Sequence, residues 1–544
     1  MTVGLALSLV AGACGSSDDA VPVETTGRNG SQDNRALVDP GGGNDGYVAI
    51  DTTVVEYFSV ESEESASATA PAVGQYRASG DIASPEAPYD TTTFQDYGTN
   101  APVATSEDRF STFAVDVDTG SYTIGRRFVA DGYLPQADSV RVEEYVNYFD
   151  QQYQRPGRGA FAIHLEGAPT PFVFNEGFHM LRVGIQGLDV AAEDRPPANL
   201  TFVIDVSGSM DREDRLETVK DALELLVEQL RPSDQVGIVV YGSEARVVLE
   251  PTAVEDDDFI VDAIDRLHPD GSTNAEAGLL LGYDMANRAW SRNAINRVIL
   301  LSDGVANVGE TGPEAILDRI GSEADDIQLV TVGFGMGNYN DVLMEQLADR
   351  GDGFYAYVDT LDEAERIFVD GLSGTLLTIA KDAKIQVEFN QEVVSEYRLI
   401  GFENRDVADE DFRNDDIDAG EIGAGHSVTA LYEIQLNEDA TGRDGVATAF
   451  LRWEDPDSGD VVEIDEEITV GDLAGRYSQA SDTFQLATTV AAYAEVLRDS
   501  RWARHFDIWD VMEEAERLAS GSLRTDPDVV EFAGIVESVA RLKG

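Results

Sequence analysis

Three short stretches carry side-chain oxygens that could share one hard cation. Asp205-Val206-Ser207-Gly208-Ser209 supplies a carboxylate and two hydroxyls. Gly271-Ser272-Thr273-Asn274 adds a third hydroxyl, and Ser302-Asp303-Gly304 a second carboxylate. Oxygen-only ligation with few formal charges suits Mg²⁺, which takes six oxygens at about 2.0–2.1 Å and keeps several waters; Mn²⁺ fits the same cage. D-x-S-x-S alone is a weak signal, because Asp and Ser also cap strand-to-helix turns. The reading depends on all three stretches falling at one place in a fold.

The pattern around them meets that condition. Residues 200–206 read as a buried apolar strand, and residues 215–230 place Leu216, Val219, Ala222, Leu223, Leu226 and Leu230 at helical spacing. Strands follow at 235–241, 245–249, 297–302, 329–333 and 354–358, with helices at 274–290, 314–324, 342–348 and 363–372. Such alternation predicts an α/β domain with a mostly parallel sheet covered on both faces. Ligands gather at the carboxyl ends of strands in these sheets, which is where Asp205 and Asp303 stand.

On those residues the segment resembles the von Willebrand factor type A family with its metal-ion-dependent adhesion site. The resemblance implies that Asp205, Ser207, Ser209, Thr273 and Asp303 surround a divalent ion, Mg²⁺ or Mn²⁺. It further implies that the serines and Thr273 touch the ion while the aspartates act largely through water, leaving the ion electron-poor. A carboxylate from a partner protein would then complete the shell, and binding would be lost on chelation. Asp211 and Asp214 do not match the spacing of integrin-type calcium sites and read as acids at a helix N-terminus.

The flanks read differently. Residues 112–117 alternate like a strand, 121–131 and 139–149 like helices, and 161–166 and 179–185 like strands. After residue 376 strands dominate at 383–389, 397–402, 427–435, 446–453 and 461–470, with a hairpin turn at Asp455-Pro456-Asp457-Ser458-Gly459. This is a β-sandwich pattern, and the expectation is that segments near 160–190 and 380–470 share one sandwich with the metal domain inserted. Helical spacing returns at 484–497, 508–519 and 528–542. The stretches Ser111-Thr112-Phe113-Ala114-Val115-Asp116-Val117-Asp118-Thr119 and Val140-Arg141-Val142-Glu143-Glu144-Tyr145, with Glu396-Tyr397-Arg398-Leu399-Ile400-Gly401-Phe402, resemble bacterial YfbK-like proteins. That likeness covers residues 107–544 and implies an exported lipoprotein.

The expected organisation is therefore a leader with lipobox at 1–14, a tether at 15–107, an α+β region at 108–196, the type A domain at 197–376, a β-sandwich region at 377–474 and a helical region at 475–544. Cys14 is the chain's single cysteine, so no internal disulfide and no cysteine-based zinc site can form. It follows an apolar run too short to span a bilayer, which needs about 20 residues, and Ala11-Gly12-Ala13-Cys14 resembles a bacterial lipobox whose cysteine becomes lipid-modified. The Gly-, Ser-, Asp-, Thr- and Pro-rich stretch behind it buries too little apolar surface to offset its ordering entropy.

With 103 acidic against 38 basic residues among 544, the formal charge of −65 repels phosphate backbones and argues against a nucleic-acid partner. Asp118-Thr119-Gly120-Ser121 spells the aspartic protease tetrad, and Asp457-Ser458-Gly459 mimics its second half, but Asp457 falls in the hairpin turn. His164, His179, His268, His426 and His505 lack metal-ligand spacing, and no phosphate loop or G-x-S-x-G elbow appears. The expectation is a non-enzyme, lipid-anchored and facing outside the cytoplasm, whose metal site binds an unidentified acidic protein ligand. The alternative is a structural or assembly factor of the cell envelope in which the metal serves only the fold.

Overall fold

The computed structural model describes residues 92, 94–173, 177–212, 215–304, 316, 327–336, 339–417 and 419–544. The expected leader, Cys14, the tether through residue 91, Asp214, and all of the expected helix at 314–324 except Ile316 lie outside these residues.

The first described elements are β1 (Val103–Ala104), β2 (Phe110–Ala114), α1 (Gly120–Ala130), α2 (Val142–Asn147), β3 (Phe161–Pro169) and β4 (Phe178–Gly187). The expectation of a tether reaching residue 107 is corrected here. Val103 and Ala104 pair with Tyr397 and Glu396, Asn100 donates through Nδ2 to the Gly401 carbonyl at 2.8 Å, and Thr105 Oγ1 donates to the Val394 carbonyl at 2.6 Å. A polar composition does not reveal such docking, because the backbone bonds that order it come from strands far along the chain.

The central domain contains β5 (Ala198–Asp205), α3 (Arg215–Gln229), β6 (Gln235–Tyr241), β7 (Ala245–Ala253), α4 (Asp257–Asp265), α5 (Ala275–Ala289), β8 (Ile295–Ser302), β9 (Gln328–Phe334), α6 (Asp341–Asp349) and β10 (Tyr355–Val358). It closes with α7 (Leu361–Glu365), a π turn over Arg366–Asp370 and α8 (Leu372–Leu376). The sheet order is β10-β9-β8-β5-β6-β7, parallel throughout except for β7. All of β5 is buried, as a strand covered on both faces must be. Its side chains alternate: Leu200, Phe202 and Ile204 pack with α3 and α4, while Val203 packs with Leu279 and Tyr283 of α5. Ile124 and Phe128 of α1 join that second layer, so a helix from outside the domain covers part of its sheet.

β11 (Thr378–Phe389), β12 (Val394–Ile400), β13 (Gly420–Gly423), β14 (Ser427–Leu436), β15 (Gly445–Glu454) and β16 (Val461–Thr469) follow. One sheet runs β1-β12-β14-β4-β3; the other runs β13-β11-β15-β16, with β2 also on β11. Strands from before and after the central domain thus build one sandwich around Phe113, Val183, Ile385, Val387, Tyr432 and Leu451, and the α/β domain is inserted between β4 and β11. Three helices end the chain, α9 (Asp482–Leu497), α10 (Ile508–Ser520) and α11 (Pro527–Lys543). Ser481, Asp507 and Asp526 cap them, and they pack with Tyr145 and Phe149 beside Met180 and Leu431 of the sandwich. Among the described residues no helix is long and apolar enough to cross a membrane.

Ion pairs rivet the insertion to its surroundings. Arg405 donates to Asp116 at 3.0 Å and to Asp349 of α6 at 2.8 Å. Arg141 reaches Asp341 at 2.7 Å and also pairs with Glu144, and Arg126 holds Asp359 and, at 2.9 Å, Glu363. Burial pushes the carboxyls here upward: Glu144 to about 8 despite Arg141, and Glu143 and Glu345 to about 7. An acid whose folded pKa exceeds its unfolded value holds its proton better when native. Its stabilisation is therefore present below the ordinary glutamate value of 4.5 and is lost as pH rises through the folded value. The thermal midpoint should fall between about pH 5 and about pH 8, and Glu144→Gln should flatten that slope in a calorimetric series.

Candidate metal centre

Asp205 ends β5 and Ser302 ends β8, its neighbour in the sheet, so both chains leave at the same rim. Ser207 N donates to Asp205 Oδ1 at 2.7 Å, turning the chain at once. Ser302 Oγ donates to Asp205 Oδ2 at 3.1 Å and accepts from Gly304 N at 3.0 Å, tying the two loops together. The hydroxyls of Ser207 and Ser209 lie 2.9 Å apart.

The loop bearing Thr273 is stitched to the same place by backbone bonds. Gly208 N donates to the Gly271 carbonyl at 3.0 Å, and Asn274 N to the Gly242 carbonyl at 3.0 Å. Gly271 has φ of +85°, and a Cβ on Gly242 would collide with the Asp270 carbonyl, so both positions need glycine for the loops to close. Asn274 also caps α5 by accepting from Ala277 N at 3.1 Å.

Asp205, Ser207, Thr273 and Asp303 are buried, while Gly208, Gly271 and Ser272 are exposed. The oxygens therefore sit just beneath an accessible rim. Asp303 Oδ2 accepts from Arg215 Nη1 at 2.9 Å, but its Oδ1 is buried without a hydrogen-bond partner. Burial first, and Asp303 second, push Asp205 up to about 7. An orphaned carboxylate oxygen, two mutually repelling buried acids and a set of hydroxyls together fit a divalent cation, whose charge would offset both penalties. Because hydroxyls dominate the set, no group of three or more His, Cys, Asp or Glu marks it among the described residues.

The other readings of the sequence find different surroundings. Asp118 is buried, accepts from Tyr355 N at 2.9 Å and lies 3.6 Å from Arg405; Asp457 stands in an exposed turn held by Asp455. No proton-sharing pair can form from them. His164 stacks on Tyr153, and the half-buried His426 is lowered to about 4, chiefly by desolvation. Asp211 ends a short 3₁₀ turn, Gly208–Asp211.

Sequence reasoning missed Ser302, Arg215 and Gly242. Arg215 carried a signal. A cation in the first turn of a helix opposes the dipole, so a buried one demands an acidic partner.

Residues 199–369 match the von Willebrand factor type A domain family, residues 374–542 match the carboxyl-terminal family of the uncharacterized protein YfbK, and residues 88–182 match a von Willebrand factor family. The uncharacterized protein YfbK of Escherichia coli (strain K12) is 35% identical over 475 residues, covering 82% of this chain and 81% of that one. The chain belongs to the YfbK family. Human inter-alpha-trypsin inhibitor heavy chain H3 is 30% identical over 227 residues, 40% of this chain and 23% of that protein. A von Willebrand factor type A structure from Catenulispora acidiphila covers 68% of this chain and 89% of its own, with 16% identity and a TM-score of 0.42.

In this YfbK-family chain, Mg²⁺ at a hundred times its dissociation constant should add about 2.7 kcal/mol of stability. A thermal-shift titration checks this, and Asp205→Asn should abolish the shift.

Proposed function

We propose that this protein is a lipid-anchored, extracytoplasmic binding module that captures an acidic group of a partner protein at its metal-ion-dependent adhesion site. The observation that carries the reading is the buried, unpartnered Oδ1 of Asp303 at the same sheet rim as the paired hydroxyls of Ser207 and Ser209. Asp205, Ser207, Ser209, Thr273 and Asp303 would hold Mg²⁺ or Mn²⁺, and the ion when bound supplies a Lewis-acidic position for an outside oxygen. The type A domain supports a protein-interaction role in general; the acidic ligand follows from the chemistry of the oxygen set. Anchoring rests on Cys14 and the apolar run before it, and the partner's side of the contact is a protein, because a charge of −65 disfavours nucleic acid. The reading is non-enzymatic: the chain's own residues bind and orient, and the acids of the site are committed to the ion and to Arg215.

A second reading, an envelope structural or assembly factor, draws on the ion pairs that clamp the central domain through Arg126, Arg141 and Arg405. The two separate in one experiment. Ser207→Ala should keep the wild-type unfolding profile in chelator yet lose the proteins retained from an envelope extract in Mg²⁺ and released by chelator. Retention of the same proteins with and without chelator would sink the adhesion reading. Loss of the Mg²⁺-dependent stability with unchanged retention of those proteins would favour the structural one.

A further inference from the structure

A cavity of about 190 Å³ lies where the segment before β1, the start of α2, the loop after β12 and the end of α9 meet. It stands apart from the metal centre, none of whose residues lines it. Arg141, with 6% of its side chain exposed, forms part of its wall. The Nε of this arginine pairs with Glu144 and its Nη1 donates to Asp341 at 2.7 Å, but its Nη2 is buried without a hydrogen-bond partner. The same space is lined by Glu143, which is 2% exposed, and by Glu403, whose side chain is 8% exposed. Glu143 Oε2 accepts from Phe402 N at 3.0 Å, and Glu403 Oε1 accepts from Asn100 N at 3.2 Å and from Arg498 Nη1 at 3.0 Å. The backbone that joins these contacts is strained: Phe402 is buried with φ of +61°, a region that bulky side chains rarely adopt, and such strain gathers at ligand sites.

We propose that this cavity binds a small organic cation, with its primary ammonium held by Glu143 and Glu403 and a neutral oxygen of the same molecule accepting from Arg141 Nη2. The orphaned guanidinium nitrogen calls for an acceptor. That acceptor is neutral, because Arg141 already answers Glu144, Asp341 and, at 3.5 Å, Glu345. The carboxylates call for a cation. Arg498, the other base in the wall, is shared between Glu403 and Glu495, and burial first, then the like charge of Glu403, lifts Glu143 to about 7. An ammonium group donates several hydrogen bonds from one point charge, which suits carboxylates that approach from different elements. The space is smaller than the roughly 300–1,000 Å³ of pockets for drug-sized ligands. The ligand class is accordingly an amino alcohol or another primary amine of similar size.

Ethanolamine carries both groups and is the probe. Isothermal titration calorimetry on the full-length chain should show saturable binding at pH 8 that weakens about tenfold at pH 6, because Glu143 must lose its proton to meet the ammonium and is mostly ionised only above about 7. The charged and titratable groups around Glu143 are Arg141 and Glu144 at the start of α2, Glu403 after β12, Asp96 and Tyr97 before β1, Asp138 before α2, Glu495 and Arg498 of α9 and Asp116 after β2. Tyr97, pushed up to about 12, stays protonated in this window, and Glu144, at about 8, adds negative charge in the same direction as Glu143. Ethanolamine keeps its charge throughout, as alkyl amines do. Choline, equal in charge but without N–H groups, and ethylene glycol, without charge, should give no saturable heat. Glu403→Gln should weaken ethanolamine binding about tenfold or more, and Glu143→Gln should both weaken it and flatten its pH dependence, each with the circular dichroism of wild type. If Glu143→Gln does not fold, Glu403→Gln and the wild-type comparison at the two pH values carry the test. Absence of saturable ethanolamine binding at pH 8, equal binding of choline, or unchanged affinity in Glu403→Gln overturns the site.

Discussion

A carboxylate taken out of water costs several kcal/mol unless a cation or donors replace its hydration, and this chain, with 103 acidic residues to 38 basic, meets that constraint wherever two layers close on each other. Among the described residues, several groups of buried acids gather about arginines. Arg405 collects Asp116 and Asp349, Arg141 collects Asp341 and Glu144, Arg126 collects Asp359 and Glu363, and Arg195 with Arg231 holds Asp234. At the candidate metal centre arginine goes only part of the way: Arg215 satisfies one oxygen of Asp303, while Asp205 accepts from Ser207 N and Ser302 Oγ. The same electrostatic constraint that fastens the fold elsewhere leaves one buried carboxylate oxygen at this rim without a hydrogen-bond partner.

Those arginines also explain how an inserted domain sits firmly. A domain spliced between β4 and β11 meets its host at two chain crossings, and covalent connection alone would leave it free to swing. Here α1 lays Ile124 and Phe128 on the central sheet, and Arg126 binds both Asp359 before α7 and Glu531 of the last helix. Arg366, in the π turn that ends the domain, reaches Asp528 at 2.8 Å. The rim that carries Asp205 and Asp303 consequently belongs to a domain fastened to its flanks by ion pairs.

Much of this was legible from spacing. The end of β5 at Asp205 and of β8 at Ser302 follows from apolar runs broken by polar residues, and the three last helices from apolar residues recurring near every 3.6 positions. The short strands β1 and β13 were not legible. β1 offers two residues, and β13 is Gly420–Gly423, whose pairing with β11 carries register shifts; neither is long enough to show a period. Residues 94–107 read as tether because their composition is polar, whereas their order comes from bonds to Val394, Tyr397 and Gly401.

The sequence by itself determined which oxygens stand as the candidate set, the alternation of strands and helices that brings Asp205 and Asp303 to strand ends, and the family. These are local properties, set by side-chain chemistry and by periods of 2 and 3.6 residues. Only the tertiary structure decided which atom of Asp303 is spent and which is spare, that Arg215 is the residue spending it, and which strands on either side of the insertion pair within the sandwich. Arg215 and Asp303 lie 88 residues apart in the chain, and β2 and β11 are separated by the whole central domain. An ion pair or a strand register across such distances depends on where the backbone passes in space, which no local period encodes.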